Sequence, residues 1–177
     1  MLVLKNRTNK IAVSAMFAAL CCVATMVIRI PTIGTNGYVN IGDVIVLLCG
    51  WLIGGAYGMM AAGIGAGLAD LLAGYAQYVP GTFFIKALMA LVAYLIIKAA
   101  IDKNINRTIA FIFSAIVAEA VMVVGYFLYE AVLLGYGIAA AASIPSNIVQ
   151  GGTCLVIGVV LVRILESNKA LKRLNVI

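Results

Sequence analysis

The sequence predicts an all-α integral membrane protein with six transmembrane helices. Of its 177 residues, 65% are hydrophobic and only 10% are charged, and the mean hydropathy is +1.16. A soluble domain carries about 25% charged residues, so a soluble fold of this size could not cover its own surface. A helix needs about 20 apolar residues to cross the hydrocarbon core of a bilayer, and the chain holds about six such helices with their connections.

Polar breaks divide the apolar stretches into six predicted spans. These are Ile11–Ile30, Ile41–Leu52, Ala56–Ala73, Thr82–Ala100, Thr108–Leu134 and Pro145–Leu165. Only Ile53, Gly54 and Gly55 separate spans 2 and 3, which predicts a tight hairpin. Span 2 is short for a full crossing, so we expect it to be tilted or to end inside the membrane. The whole chain, residues 1–177, is predicted to form a single six-helix membrane domain.

The basic residues predict the orientation of the bundle. Ten of the twelve precede span 1, surround the connection between spans 4 and 5, or follow span 6: Lys5, Arg7, Lys10, Lys98, Lys103, Arg107, Arg163, Lys169, Lys172 and Arg173. With six spans they all fall on one side, and cytoplasmic segments are enriched in Lys and Arg. Both termini are therefore predicted to be cytoplasmic. The net charge of +6 reflects this topology and attraction to anionic lipids, and no nucleic-acid partner is expected.

Polar side chains within the spans gather in the predicted outer half. Such groups are costly in a membrane and mark function or pairing. The candidate substrate-binding residues are Tyr38, Asn40, Asp43, Asp70, Tyr75, Gln77, Tyr78, Lys86, Glu119, Glu130, Asn147 and Gln150. Their distribution predicts a pocket that opens to the outer side and is closed toward the cytoplasmic side. For each tyrosine the alternative is an aromatic belt at the lipid interface. For Lys86 and Glu119 the alternative is a structural ion pair, either with each other or with Asp70.

Several classes of protein are disfavoured by what the sequence lacks. There is no histidine, which removes the commonest metal ligand and the commonest general base. Cys21, Cys22, Cys49 and Cys154 sit inside apolar runs and are predicted to be small buried side chains. No phosphate-binding loop of the GxxxxGK[ST] type is present. We therefore predict neither an enzyme nor a resident cofactor or metal. The weakest alternative is a membrane enzyme in which Asp43 and Asp70 meet.

Small residues in span 1 offer a second kind of site. Ala15 and Ala19 form a small-x-x-x-small step, and Ser14 and Ala18 form another. Such steps let helices approach closely in lipid. They indicate either packing within the bundle or a docking face for another membrane protein.

Five segments together resemble a known family. They are Gly37–Asp43 (GYVNIGD), Gly63–Tyr75 (GIGAGLADLLAGY), Phe84–Met89 (FIKALM), Gly125–Phe127 (GYF) and Ile144–Gln150 (IPSNIVQ). In combination with the step from Ala15 to Ala19, they resemble the S component of energy-coupling factor (ECF) vitamin transporters. The S component is the substrate-binding membrane subunit of these ABC transporters.

This resemblance implies a fold and a mode of action. It implies an ECF S-component-like bundle of six helices with cytoplasmic termini, in the plasma membrane of a prokaryote. A vitamin or vitamin precursor would bind on the outer side. The face with Ala15 and Ala19 would dock onto a membrane scaffold subunit, and two cytoplasmic ATPases would drive uptake.

The nature of the cargo is addressed by one position. The chain most resembles the branch for riboflavin, hydroxymethylpyrimidine and vitamin B6-like cargo. Riboflavin binders of this branch tend to have Lys where this chain has Gln150, three positions after Asn147. The neutral amide, which both donates and accepts hydrogen bonds, favours pyridoxine or hydroxymethylpyrimidine over riboflavin. The alternative function is a stand-alone proton-coupled carrier of a small polar solute, with Glu119 as the proton carrier.

Overall fold

The computed structural model describes residues 6–31 and 38–167, which form a bundle of six helices and one short β hairpin. The helices are α1 (Arg7–Val27), α2 (Asp43–Leu48), α3 (Gly55–Leu72), α4 (Val79–Asp102), α5 (Arg107–Leu128) and α6 (Ile144–Ser167). The antiparallel strands are β1 (Arg29–Pro31) and β2 (Tyr38–Asn40). Two π-helical turns extend α2 and α5, namely Cys49–Ile53 and Tyr129–Leu133. Two 3₁₀ turns, Ala76–Tyr78 and Gly137–Ser143, precede α4 and α6.

Five helical stretches among the described residues are long and apolar enough to cross a membrane. The remaining one, α2 with its π-helical turn, runs only from Asp43 to Ile53. This is shorter than the length that a full crossing requires and agrees with the short span 2 expected from the sequence. The predicted six-helix membrane fold is confirmed, whereas a complete crossing by α2 stays a prediction.

The first helix ends earlier than the sequence indicated. Span 1 was expected to continue to Ile30, but α1 stops at Val27 and the chain becomes extended. Arg29 then pairs with Asn40 across the hairpin. This pairing supplies hydrogen-bond partners that a frayed helix end would lack. Span 4 was expected to begin at Thr82, but α4 already starts at Val79. The proline in its first turn is tolerated because no backbone N–H is required there.

Glycines permit two close approaches in the bundle. Gly54, between α2 and α3, has φ 66° and ψ 177°, a conformation that is essentially restricted to glycine. The ring of Tyr94 fills the space where a side chain would stand. Gly65 of α3 lies against Ala18 and Cys21 of α1, and a Cβ on Gly65 would come within 2.8 Å of the Cys21 Cβ. The predicted tight hairpin is therefore confirmed, and α1 packs closely on α3.

The middle of the bundle is apolar and closely packed. Trp51 is buried, its ring centroid lies 5.0 Å from that of Phe111, and its indole N–H donates to the Ser114 hydroxyl at 2.8 Å. Ser114 in turn donates to the carbonyl oxygen of Ala93 at 3.2 Å. The four cysteines are buried as expected, and all are free thiols. This packed middle separates the polar groups at the two ends of the bundle.

The two ends of the bundle differ in charge. We call the end where α1 and α5 begin and α4 and α6 finish the basic end. Its described basic residues are Arg7, Lys10, Lys98, Lys103, Arg107 and Arg163. Lys5, Lys169, Lys172 and Arg173 lie outside the described residues. The opposite end, with the β hairpin and the starts of α2, α4 and α6, is the pocket end.

Candidate functional site

A buried ion pair joins three helices at the pocket end. Asp43, the first residue of α2, is completely buried and forms a salt bridge with Lys86 of α4. The other carboxylate oxygen of Asp43 accepts a hydrogen bond from the Gln150 amide nitrogen of α6 at 2.5 Å. A buried carboxylate is tolerated when it is paired and hydrogen-bonded in this way. The expectation that Lys86 would pair with Glu119 or Asp70 is therefore corrected, because the start of α2 brings Asp43 against α4.

Gln150 also anchors the β hairpin. Its amide oxygen accepts the backbone N–H of Asn40 at 2.8 Å. The Asn40 side chain accepts the backbone N–H of Gly42 at 2.8 Å, and the Cys154 thiol lies 3.7 Å from the Asn40 carbonyl oxygen. Both ends of the Gln150 amide are thus engaged within the protein. Gln150 therefore holds strand β2 in place, in addition to lining the cavity beside it.

Beside this network lies a cavity of about 420 Å³. Its wall is formed by Tyr38, Asn40, Asp70, Tyr78, Thr82, Tyr126, Glu130, Ser143, Asn147 and Gln150. Small-molecule sites typically combine an apolar lining with a few convergent polar groups. The wall is rich in hydroxyl, amide and carboxylate groups.

The two acidic residues of the cavity wall accept hydrogen bonds from hydroxyl groups. Asp70 accepts from the Tyr38 hydroxyl at 2.5 Å. Glu130 accepts from the Tyr78 hydroxyl at 3.0 Å and from the Ser143 hydroxyl at 2.6 Å. Burial, together with the neighbouring charge of Asp70, raises the pKa of the Tyr38 phenol. Tyr38 therefore stays protonated at neutral pH and keeps donating to Asp70.

Five tyrosines form a connected cluster rather than isolated interfacial rings. The ring centroids of Tyr38 and Tyr75 are 4.8 Å apart. The Tyr78 ring lies 6.5 Å from Tyr75, 6.5 Å from Tyr126 and 6.2 Å from Tyr129. Such distances are typical of interacting aromatic pairs. Because Tyr38, Tyr78 and Tyr126 also line the cavity, the cluster gives it a broad aromatic surface.

Glu119 is the one buried acid of α5 that has no hydrogen-bond partner among the described residues. Its side chain is 6% exposed, and neither carboxylate oxygen is bonded there. It interacts electrostatically with Lys86 and Asp43. Gly151 of α6 permits this placement, because a side chain on Gly151 would come within 3.0 Å of the Glu119 Cβ.

Comparison with known proteins assigns the chain to a family. The family model of the ECF-type riboflavin transporter S component matches residues 5–167. The chain belongs to this family. An uncharacterized protein encoded in the gap 3′ region of Pyrococcus woesei is 33% identical over 136 residues, which cover 77% of this chain and 87% of that protein.

A solved structure has the same fold as this S component. It was described under "Structure and mechanism of the S component of a bacterial ECF transporter", has a TM-score of 0.71 and is 26% identical. The match covers 92% of this chain and 98% of that one. The protein is thus a multi-pass membrane protein and a transporter subunit rather than an enzyme.

The structure brings seven of the twelve predicted binding residues of this S component into the cavity wall: Tyr38, Asn40, Asp70, Tyr78, Glu130, Asn147 and Gln150. Asp43, Lys86 and Glu119 are buried outside the wall, and Tyr75 packs on Tyr38. Gln77 is different, because its side chain is exposed and its contact among the described residues is through the backbone oxygen, which accepts from the Tyr129 hydroxyl at 2.6 Å. Contact of these residues with a ligand stays a prediction.

The list of candidate binding residues did not include three residues of the cavity wall: Thr82, Tyr126 and Ser143. Helical spacing could have found them, because residues four apart share a helix face. Thr82 precedes Lys86 by four positions, Tyr126 precedes Glu130 by four, and Ser143 precedes Asn147 by four. Tyr126 also joins two parts of the site, since its hydroxyl is 2.9 Å from Thr82 Oγ1 and its ring centroid is 5.2 Å from Lys86 Nζ.

The predicted docking residues lie on a separate surface of the S component. Ala15 and Ala19 are exposed on α1 and line a groove of about 980 Å³ between α1 and α3. Met60, Ile64 and Leu68 form much of the opposite wall. The groove is almost wholly apolar, in contrast with the cavity.

Proposed function

We propose that this S component captures a small ring-containing vitamin or vitamin precursor in the 420 Å³ cavity at its pocket end. The observation that carries the proposal is that one cavity combines three tyrosine rings with two carboxylates and the amide of Asn147. Tyrosine rings can stack on a flat heterocycle. The polar groups can read ring nitrogens and hydroxyl substituents through hydrogen bonds.

The favoured cargo is pyridoxine or hydroxymethylpyrimidine. Gln150, the neutral amide at the position where riboflavin binders of this branch tend to have Lys, lines the cavity and can both donate to and accept from ring nitrogens and hydroxyl groups. Asp70 and Glu130 offer acceptors for the hydroxymethyl groups of such compounds. Riboflavin is the second candidate, and it is favoured by the family model that matches this chain.

The proposal is tested by native mass spectrometry of the purified chain, followed by calorimetric titration with pyridoxine, hydroxymethylpyrimidine and riboflavin. We expect one of the three to bind with one-to-one stoichiometry. If thermal unfolding shows that the chain is folded and none of the three compounds binds, the cargo assignment is contradicted. Tight binding of riboflavin alone would replace the favoured cargo with the second candidate.

Uptake is proposed to require docking of the α1–α3 groove onto an ECF scaffold subunit with its two ATPases. The exposed small residues Ala15 and Ala19 let a partner helix approach α1 closely. Ala15→Leu and Ala19→Leu should reduce co-purification with the scaffold from cells that express both, while cargo affinity is unchanged. Ala120→Leu, at an exposed position of α5, is the matched control. Equal loss in all three variants would contradict a specific docking face.

A stand-alone proton-coupled carrier is the alternative, and the buried Glu119 without a hydrogen-bond partner among the described residues is the observation that favours it. In proteoliposomes that contain this chain alone, we expect no accumulation of cargo under a pH gradient. Accumulation that Glu119→Gln abolishes would support the carrier instead.

A further inference from the structure

An apolar groove between α4 and α5 opens at the basic end, far along the bundle from the cavity. It has a volume of about 650 Å³, and Ile96, Ala99, Ile109 and Phe113 contribute to its walls. Lys103, in the connection between the two helices, is the single basic residue of its lining. The groove thus combines a long apolar surface with a positive charge at one end.

The surroundings of the groove carry further positive charge. Arg107 and Arg163 both bind the carboxylate of Glu166, at 2.8 Å and 2.5 Å, and each arginine side chain remains 47% exposed. Counting Lys98, Lys103, Arg107 and Arg163 against Asp102 and Glu166, the described residues at this end of α4, α5 and α6 have an excess of two positive charges. The first turn of α5 holds no acidic residue, so the positive end of the helix dipole adds to this field.

We propose that the groove holds one anionic phospholipid. Its acyl chain lies along the apolar walls between α4 and α5, and its phosphate contacts Lys103. This occupant matches both features at once. Inorganic phosphate has no group for the apolar walls, and a zwitterionic lipid gains little from the excess charge, whereas basic residues near a bilayer surface attract anionic lipid by about 1 kcal/mol each.

Two substitutions test the two halves of the proposal. Lys103→Gln removes the charge in the groove, and Ala99→Phe fills the groove from an exposed position of α4. The purified chain is titrated with phosphatidylglycerol and phosphatidylcholine of identical acyl chains, and bound lipid is counted by native mass spectrometry. We expect the wild type to prefer one phosphatidylglycerol. Lys103→Gln should lower that preference about fivefold, and Ala99→Phe should reduce binding of both lipids.

Matched controls distinguish a site from general attraction. Lys98→Gln removes the same charge from the same end but outside the groove lining, and Ala120→Phe adds the same ring to an exposed position of α5 outside the groove. Both controls should retain phosphatidylglycerol as the wild type does. The proposal is overturned if the wild type does not distinguish the two lipids, if Lys98→Gln matches Lys103→Gln, or if Ala99→Phe has no effect. Since all four positions are exposed, folding should be retained, and thermal unfolding verifies it.

Discussion

Asp43 is the residue on which the polar contacts at the pocket end converge. It pairs with Lys86, accepts from Gln150 and begins α2, where the helix dipole favours a negative charge. Gln150 carries this network to the hairpin through Asn40. Each of these buried groups has a hydrogen-bond or charge partner, so removing one side chain takes a partner away from another buried group.

The effect of Gln150 on cargo binding can be compared with that of Gln77, a predicted binding residue whose side chain is exposed. Gln150→Leu removes the hydrogen bonds to Asn40 and Asp43, and the cargo Kd should rise tenfold or more, about the effect of losing a charge-assisted hydrogen bond. Gln77→Leu is the control, because the Gln77 side chain is exposed outside the cavity, and its Kd should stay within about twofold. Calorimetric titration measures both. If Gln77→Leu raises the Kd by more than twofold, Gln77 takes part in cargo binding.

The buried ion pair makes a prediction about stability. Lys86→Met leaves Asp43 buried without its countercharge, which should lower the free energy of unfolding by about 3–5 kcal/mol. The double variant Asp43→Asn with Lys86→Met should recover much of this loss. Lys98→Met, at an exposed position, should change stability by about 0.5 kcal/mol or less. Chemical unfolding in detergent measures all three, and an unchanged Lys86→Met variant would mean that the pair contributes nothing.

At the scale of elements, the β1–β2 hairpin depends on its surroundings. Each strand has three residues, and an isolated hairpin is at best marginally stable in water. The bonds from Tyr38 to Asp70 and from Asn40 to Gln150 tie β2 to α3 and α6. The same residues line the cavity, so the position of the hairpin and the shape of the cavity are set by one group of contacts.

The turn between α2 and α3 gives a prediction at this scale. Gly54→Ala would force a side chain into a backbone region that only glycine adopts readily and against the Tyr94 ring. The free energy of unfolding should fall by about 1–3 kcal/mol. Gly152→Ala is the matched control, because Gly152 lies inside α6 with open space around it, and it should be neutral or stabilising by up to about 1 kcal/mol. Equal losses would show that the turn has no special demand for glycine.

For the whole molecule, the two ends are chemically distinct. The basic end carries lysines and arginines around the starts and ends of four helices, while the pocket end carries the cavity. Positively charged ends of membrane proteins face the cytoplasm. We therefore expect the cavity to open to the outside, where a cargo for uptake would be met.

The orientation is tested by labelling introduced cysteines. Ile138→Cys places a thiol at a 91% exposed position of the pocket end, and Lys103→Cys places one at the exposed basic end. In right-side-out vesicles, a membrane-impermeant maleimide should label only the first, and both should react after the membrane is opened. The wild type, whose four cysteines are buried, is the background control. The reverse pattern would invert the topology.

The sequence by itself determined the membrane class, the helix order, the tight turn at Gly54 and the family. The class, the helix order and the turn follow from local features: the length of apolar runs, the positions of breaks and the distribution of charge. The family came from the resemblance of five short segments to ECF S components. It also indicated seven residues of the cavity wall, because polar groups inside apolar helices are costly wherever they point.

Only the tertiary structure decided which of those groups meet. Lys86 pairs with Asp43, and Tyr38 donates to Asp70. Partners separated by 43 and 32 positions depend on how the helices are rotated and packed. The early end of α1 and the exposure of Gln77 were likewise decided by strand pairing and helix orientation. These are non-local contacts, and the physical cost of a buried polar group shows that it needs a partner without showing which one.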